Sequence, residues 1–417
     1  MIDLAIRRNI LSLFMLQGGT YLIPLLTLPW LTRVLGVNEF GRLGFITALI
    51  AYFILLVDWG FSLSATKQVA IFRHDKLARS KVFWDTLFAR IVLALIGFLL
   101  LISLIFAVPQ LSVNAHFLLL GYLSVVGSII APTFYFQGIE RMGKMALINL
   151  FIKFLSVPCI FIFVTSDADI ARAIGIQAGF ILLAAAVNFF TLLFSDELTW
   201  VRPSYDQMIK SLKDGWPLFL STASIGLYTN SNVVILGFVA DTAAVAYFTA
   251  AQTLIRAGQA LYGPLSQALF PRMSHLFHHA KDSALILIRQ LMWVQGTISA
   301  LLSCILYIAA PWLMTAFFGE QFELGISVLR WLSPLLFLIG LSNIFGIQCM
   351  VPLGYTGPFS RILLASGLFN VFIMLPLGYW FGADGGAVAV LITEFFVTVL
   401  MGLYLRSVEP KLFKIRT

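Results

Sequence analysis

The sequence predicts an all-α integral membrane protein with about twelve transmembrane helices. Three observations carry that prediction. Of the 417 residues, 60% are hydrophobic and only 11% charged, too few to clothe a water-facing surface. Apolar runs of about 20 residues, enough to cross roughly 30 Å of hydrocarbon, recur along the whole chain. The short alternating segments that build a transmembrane β-barrel are missing from it.

In chain order the spans fall at about 9–32, 40–63, 82–108, 115–137, 146–165, 173–194, 216–238, 242–270, 286–310, 328–350, 360–381 and 386–405. The first follows Arg7 and Arg8 and is too long for a removable signal peptide, so it is expected to remain as an anchor. The connection from Ser195 to Trp216 divides the spans six and six. From Ser204 through Met208, Ile209 and Leu212 it reads as a short helix lying on the membrane surface. The expected organisation is an N-terminal six-helix bundle over 1–200, a cytoplasmic linker over 201–215, and a C-terminal six-helix bundle over 216–417 with a cytoplasmic tail.

Two pairs of segments suggest a duplication across that divide. "LGVNEFGRLGFITA" (Leu35 to Ala48) is similar to "LGFVADTAAVAYFTA" (Leu236 to Ala250), and "QGIERMG" (Gln137 to Gly143) to "QCMVPLG" (Gln348 to Gly354). An even number of spans in each half makes the halves parallel, related by a pseudo-twofold axis along the membrane normal, an arrangement that lets one bundle rock against the other. Prolines within or at the ends of spans, among them Pro24, Pro29, Pro132, Pro158, Pro217 and Pro376, remove helical donors and bend helices.

Charge sets the expected orientation. Alternate connections hold most of the Lys and Arg, such as Arg73, Lys76, Arg79 and Lys81, then Arg141 and Lys144, then Lys210 and Lys213; the opposite ones hold Arg33, Arg42 and Arg172. Both termini are therefore expected in the cytoplasm. The net charge of +8 is accounted for by topology and anionic headgroups, and no nucleic-acid partner is implied. All nine tryptophans fall near span ends, as an interfacial belt requires. Cys159, Cys304 and Cys349 lie inside spans without paired spacing, and His275, His278 and His279 read as a polar connector, so no disulfide framework or metal site is expected. The short connections leave no room for a catalytic domain and no P-loop is present, so the chain is not expected to be an enzyme, and no cofactor is implied.

The eighth span carries the least lipid-like pattern. Thr249, Gln252, Arg256, Gln259, Gly263 and Gln267 recur at helical spacing and form one polar stripe. Arg256 lies near the middle of its span, too deep to snorkel comfortably. Span seven has a parallel stripe in Ser221, Ser224, Tyr228 and Ser231 or Asn232, and span one in Gln17, Tyr21, Pro24 and Thr27. A water-filled cavity is expected where these faces meet. Other deep charges are Lys153 and Arg90, whose long stems can reach the interface, Asp58, which can pair with Arg90 or Lys67, and Glu394, the one acid as deep as Arg256. Positive charge dominates this inventory, which suits an anionic substrate and argues against a drug-cation exporter.

At "YLIPLLTLPWLTRVLGVNEFG" (Tyr21 to Gly41), "LVDWGF" (Leu56 to Phe61) and "PTFYFQGIERMGK" (Pro132 to Lys144) the sequence resembles the O-antigen flippases, the Wzx-type polysaccharide exporters of the multidrug/oligosaccharidyl-lipid/polysaccharide exporter superfamily. The likeness extends over essentially the whole chain in length and span count. Trp59 stands where Phe is expected in the relatives. The resemblance implies two six-helix bundles that transfer an undecaprenyl-pyrophosphate-linked oligosaccharide from the cytoplasmic to the periplasmic leaflet of a bacterial inner membrane. Arg33, Asp58 and Gln137 sit on these motifs, whereas Arg256 and Lys153 are carried over only as members of a cationic lumen. The expected substrate-binding set is Arg256, Lys153, Arg33, Arg90, Gln252, Gln259, Tyr228 and Gln17, with Asp58 and Glu394 as candidate proton or sodium sites. Expected partners are the lipid-linked anionic oligosaccharide and membrane lipids, with a polysaccharide polymerase and a chain-length regulator as further candidates. The alternatives are a lipid II flippase or a multidrug exporter of the same superfamily and, from another class, a membrane polysaccharide polymerase.

Overall fold

A computed structural model describes the chain from Leu4 to Phe413 apart from Asn230 and residues 261–268, 270–272, 274, 275 and 278; side chains are described from Ile23 onward, except at 24, 221, 224, 225 and 227–229 as well. The expected site residues Gln17 and Tyr228 lie outside the described side chains, and so do Tyr21, Pro24, Ser221, Ser224, Gly263 and Gln267 of the polar stripes and His275 and His278.

Among the described residues the chain is helical throughout, without strands. The helices are α1 (Leu4–Asp58), α2 (Phe61–Ile71), α3 (Lys76–Ala107), α4 (Pro109–Val113), α5 (Ala115–Gly121), α6 (Leu123–Ile130), α7 (Thr133–Gly138), α8 (Met142–Phe163) and α9 (Ile170–Leu193). They continue with α10 (Tyr205–Thr229), α11 (Ser231–Val239), α12 (Thr242–Gln259), α13 (Lys281–Trp312), α14 (Gly325–Leu332), α15 (Leu335–Asn343) and α16 (Thr356–Val408). Pro158, Pro217 and Pro376 lie inside α8, α10 and α16, and Pro132 immediately precedes α7.

Eight described helical stretches are long and apolar enough to cross a membrane. Two of them hold two expected spans apiece. Gly36 breaks α1 with φ 71°, and Gly382 breaks α16 with φ 55°, conformations that a residue with a side chain rarely adopts. The two remaining expected spans correspond to α10–α11, which flank Asn230, and to α12, whose polar residues lower its apolarity. The chain is a multi-pass all-α membrane protein, and its layout agrees with twelve spans in two bundles.

Compactness divides the chain into Arg42–Gly226 and a second unit comprising residues up to Gly41 with Leu227–Thr417. The expected boundaries at 200 and 216 do not coincide with these units, because the first span packs with the second half of the chain and the linker packs with the first. In the first of these units, aromatic packing centres on Phe83, Phe134 and Tyr135, all buried. The linker segment forms the start of α10 and is held by Trp59. That residue adopts φ 44°, a conformation costing about 1–3 kcal/mol for a non-glycine residue. Its indole N–H donates to the Leu212 carbonyl at 2.9 Å and its ring stacks on Phe219 at 4.5 Å, which offset that strain.

In the other unit, Gly41 sits against the first turn of α12. A Cβ there would lie 1.8 Å from the Thr242 carbonyl oxygen and 3.2 Å from the Ala246 nitrogen, both backbone atoms that cannot rotate away. The Thr242 hydroxyl donates to the Asn38 side chain at 3.2 Å. The two segments whose sequences suggested a duplication thus pack directly on one another. Gly41→Ala is expected to destabilise the protein by about 1–3 kcal/mol through overpacking, read as a lower apparent Tm in detergent, whereas Gly143→Ala, where an added Cβ meets nothing within 4 Å, should not.

Candidate functional site

The site is built on α12. Asp241 caps the helix, its carboxylate accepting from the Ala244 N–H at 2.7 Å. One face then carries small and apolar residues that pack inward: Ala244, Phe248, Ala251 and Ile255 are buried, and a Cβ on Gly258 would come within 2.9 Å of Leu336. Close helix packing of this kind needs small residues. The opposite face carries Thr249, Gln252, Thr253, Arg256 and Gln259, of which Arg256 is exposed and the rest partly so.

The contrast with other helices makes this face informative. Exposed positions on α3, α8 and α16 are filled by residues such as Leu99, Phe106, Phe151, Ile162, Phe372 and Phe381, each more than half exposed and suited to lipid. Among the described residues, α11 and α12 expose no large apolar side chain. A face that carries the Gln252 and Gln259 amides and the Arg256 guanidinium is poorly suited to hydrocarbon, where polar and charged side chains are costly. It calls for water.

The other expected site residues have separate surroundings. Thr27, Ser231 and Asn232, assigned to the stripes of spans one and seven, are buried rather than open. Arg33 is exposed and donates through Nη2 to the Ala316 carbonyl at 2.5 Å, while the neighbouring Thr32 carbonyl accepts from Gln321 at 2.7 Å. That pair straps the first span to the segment after α13. Lys153 is half-buried on the α8 face that also bears Asn149 and Ser156. Asn149 accepts from Asn188 of α9 at 2.8 Å, a polar tie between spans that hydropathy alone conceals.

Arg90 corrects the expected set. It is 4% exposed; Nη2 donates to Asp58 Oδ1 at 3.1 Å, and Nη1 to the carbonyls of Ala131 at 3.1 Å and Ser128 at 3.3 Å. The Phe134 ring closes one side of the guanidinium at 4.9 Å. Sealed and committed in this way, Arg90 joins α1, α3 and the α6–α7 turn and offers no surface to a substrate. Asp58 is its partner, one of the two pairings open to it from sequence.

Glu394 of α16 is 2% exposed and accepts from the Ser342 hydroxyl of α15 at 2.6 Å. At the preceding residue the Thr393 hydroxyl accepts from the Asn370 amide at 3.0 Å. Among the described residues no lysine or arginine forms a salt bridge with Glu394. Ser342 and Asn370 have no counterpart among the residues expected at the site, because single hydroxyls and amides in apolar spans give no periodic signal. No grouping of His, Cys, Asp and Glu suited to a metal ion occurs among the described residues.

Comparison with known proteins matches this architecture to a family. The polysaccharide biosynthesis protein family matches residues 6–277. A protein of Escherichia coli (strain K12) named as a candidate O-antigen transporter is 36% identical over 404 residues, covering 97% of both chains. A second protein so named, from Shigella dysenteriae, is 30% identical, covering 95% of this chain and 98% of its own. Among solved structures, an inward-facing multidrug resistance MATE family transporter of the MOP superfamily superposes with a TM-score of 0.72 at 15% identity, covering 98% of this chain and 99% of the other. Lipid II flippase MurJ in an inward closed conformation superposes at 0.73 and 16% identity, covering 95% of this chain and 87% of its own. These two show the fold. With the family match spanning most of the chain and the relatives aligned along nearly all of it, the chain belongs to the polysaccharide biosynthesis protein family.

Proposed function

We propose that the protein is a flippase that moves an undecaprenyl-pyrophosphate-linked O-antigen, or a related polysaccharide repeat unit, from the cytoplasmic to the periplasmic leaflet of a bacterial inner membrane. The observation that carries this reading is the open polar face of α12, with Arg256 among amides on a helix that shows no lipid-suited surface. A pyrophosphate cannot cross hydrocarbon unaided; a guanidinium fork binds two of its oxygens, and amides and hydroxyls replace water around the sugars. The relatives named as O-antigen transporters support the same reading. A drug-cation exporter is disfavoured because a cationic stripe repels its substrate. Lys153 and Arg33 are assigned here to the cationic character of the pathway, and both termini to the cytoplasm by the distribution of Lys and Arg.

Expression in a strain lacking its own O-antigen transporter tests this function. Restored surface polysaccharide is expected, and rescue of a lipid II flippase depletion instead would favour that alternative. Glu394 is the candidate ion-coupling residue, because a buried carboxyl that accepts from the Ser342 hydroxyl and forms no salt bridge among the described residues can exchange a proton or sodium ion during the cycle. Glu394→Gln is expected to lower gradient-driven uptake into vesicles by about 10-fold or more while leaving binding intact. Undiminished uptake with both gradients collapsed would remove the coupling role.

A further inference from the structure

A second cationic site lies in the Arg42–Gly226 unit, apart in sequence from α12. The α2–α3 turn, the α7–α8 turn and the segment after α9 enclose a cavity of about 400 Å³ lined by Arg73, His74, Lys76, Arg79, Arg141 and Glu197. Glu140, at the centre of the α7–α8 turn, has φ 58°, and its carboxylate accepts from Arg73 at 2.7 Å. The Glu197 carboxylate accepts from both Arg79 and Arg141. Arg79 also donates to the Arg73 carbonyl at 2.9 Å, and the Tyr135 hydroxyl donates to the Glu197 carbonyl at 2.6 Å, so the floor of the cavity is fixed from two sides.

Four cations line the cavity against one lining carboxylate, Glu197, with Glu140 paired to Arg73 beside it, leaving a surplus of positive charge in the lining. Arg79 is nearly enclosed and its Nε has no hydrogen-bond partner, whereas Arg73 and Arg141 keep 42% and 67% of their side chains exposed. The cluster is therefore more than a neutralised surface network. Its depth is marked by Ile71, Phe72, Leu77, Phe194 and Trp200, all exposed on or beside the segments that form the cavity. Apolar and indole side chains next to a basic pocket place it at the level of lipid headgroups.

We propose that this cavity binds the phosphate of an anionic lipid headgroup, on the face assigned above to the cytoplasm. The phosphate oxygens accept from Arg73, Lys76 and Arg141, and the acyl chains lie along the flanking apolar side chains. Glu197 holds Arg79 as a fixed positive floor and pre-orients Arg141, which exchanges one carboxylate contact for the phosphate. The same chemistry would accept a free pyrophosphate. The inference does not depend on which substrate the α12 face carries.

Native mass spectrometry of the purified full-length protein tests it, with phosphatidylglycerol, phosphatidylethanolamine and inorganic pyrophosphate added separately. Phosphatidylglycerol is expected to be retained at least about 10-fold more tightly than phosphatidylethanolamine, and Arg73→Gln combined with Lys76→Gln should lower that retention by about 10-fold. A control pair on α10, Lys210→Gln with Lys213→Gln, should leave it unchanged. If the Arg73 variant elutes as aggregate, Lys76→Gln alone, whose side chain has no salt bridge among the described residues, provides the reading. Displacement by pyrophosphate supports phosphate recognition, and pyrophosphate binding without lipid retention would overturn the lipid assignment in favour of a soluble phosphate. Equal retention of the two lipids together with no pyrophosphate binding, or equal losses from the cavity and control pairs, would overturn the proposal.

Discussion

Arg256→Ala is expected to lower surface polysaccharide by about 10- to 100-fold with the protein still at wild-type level in the membrane, the loss that follows from removing charge-assisted bonds to a phosphate. The side chain is exposed on α12, while the residues that anchor the helix, Ala251, Leu254 and Ile255, face inward, so truncation leaves the packing in place. Arg256→Lys should recover part of the activity, since the charge remains but the two-pronged geometry is lost. Gln252→Ala and Gln259→Ala should each have smaller effects because a neutral amide contributes less than a guanidinium. Unchanged polysaccharide from Arg256→Ala at normal expression would remove this residue from the pathway.

Arg90→Leu should act on the fold instead. Removing one partner of a buried ion pair leaves the other uncompensated, at a cost of about 3–5 kcal/mol. Here the loss includes two backbone carbonyl contacts and the packing on Phe134. An apparent Tm lower by roughly 6 °C or more in detergent and reduced protein in the membrane are expected. Asp58→Asn should be milder, because Asp58 keeps about a quarter of its side chain exposed and its amide can still accept from Arg90. The double change Arg90→Leu with Asp58→Leu should recover part of the stability, since it leaves no lone charge. An Arg90 variant as stable as wild type would contradict a structural role.

Sequence and structure agree best where one physical constraint dominates. Hydropathy over about 20 residues located the long spans, because hydrocarbon excludes nearly everything else. The polar face of α12 was legible for the opposite reason: Gln252, Arg256 and Gln259 at helical spacing violate that exclusion together. Pairing was less legible. Arg90 and Asp58 stood out as deep charges, but whether such a charge meets substrate or another side chain depends on tertiary neighbours more than 30 residues away. Unit boundaries escaped for a related reason. The joining of the first span to the second half rests on Gly41 against the Thr242 carbonyl and on the Arg33 guanidinium against the Ala316 carbonyl, contacts to backbone carbonyls that leave no mark in composition. The cavity around Glu197 was hidden too, since Arg79 and Arg141 read along the chain as ordinary charges that fix orientation.

The central claim is that the face of α12 bearing Gln252, Arg256 and Gln259 lies in water rather than in lipid. Single cysteines at these positions, in a background with Cys159, Cys304 and Cys349 replaced by serine or alanine, can be exposed in intact membranes to small charged thiol reagents. Gln252→Cys and Gln259→Cys should be labelled, faster by an anionic than by a cationic reagent while Arg256 is present, whereas lipid-facing Leu99→Cys and Phe372→Cys should resist both. Labelling on α12 no faster than at those two controls would contradict a hydrated pathway along this helix.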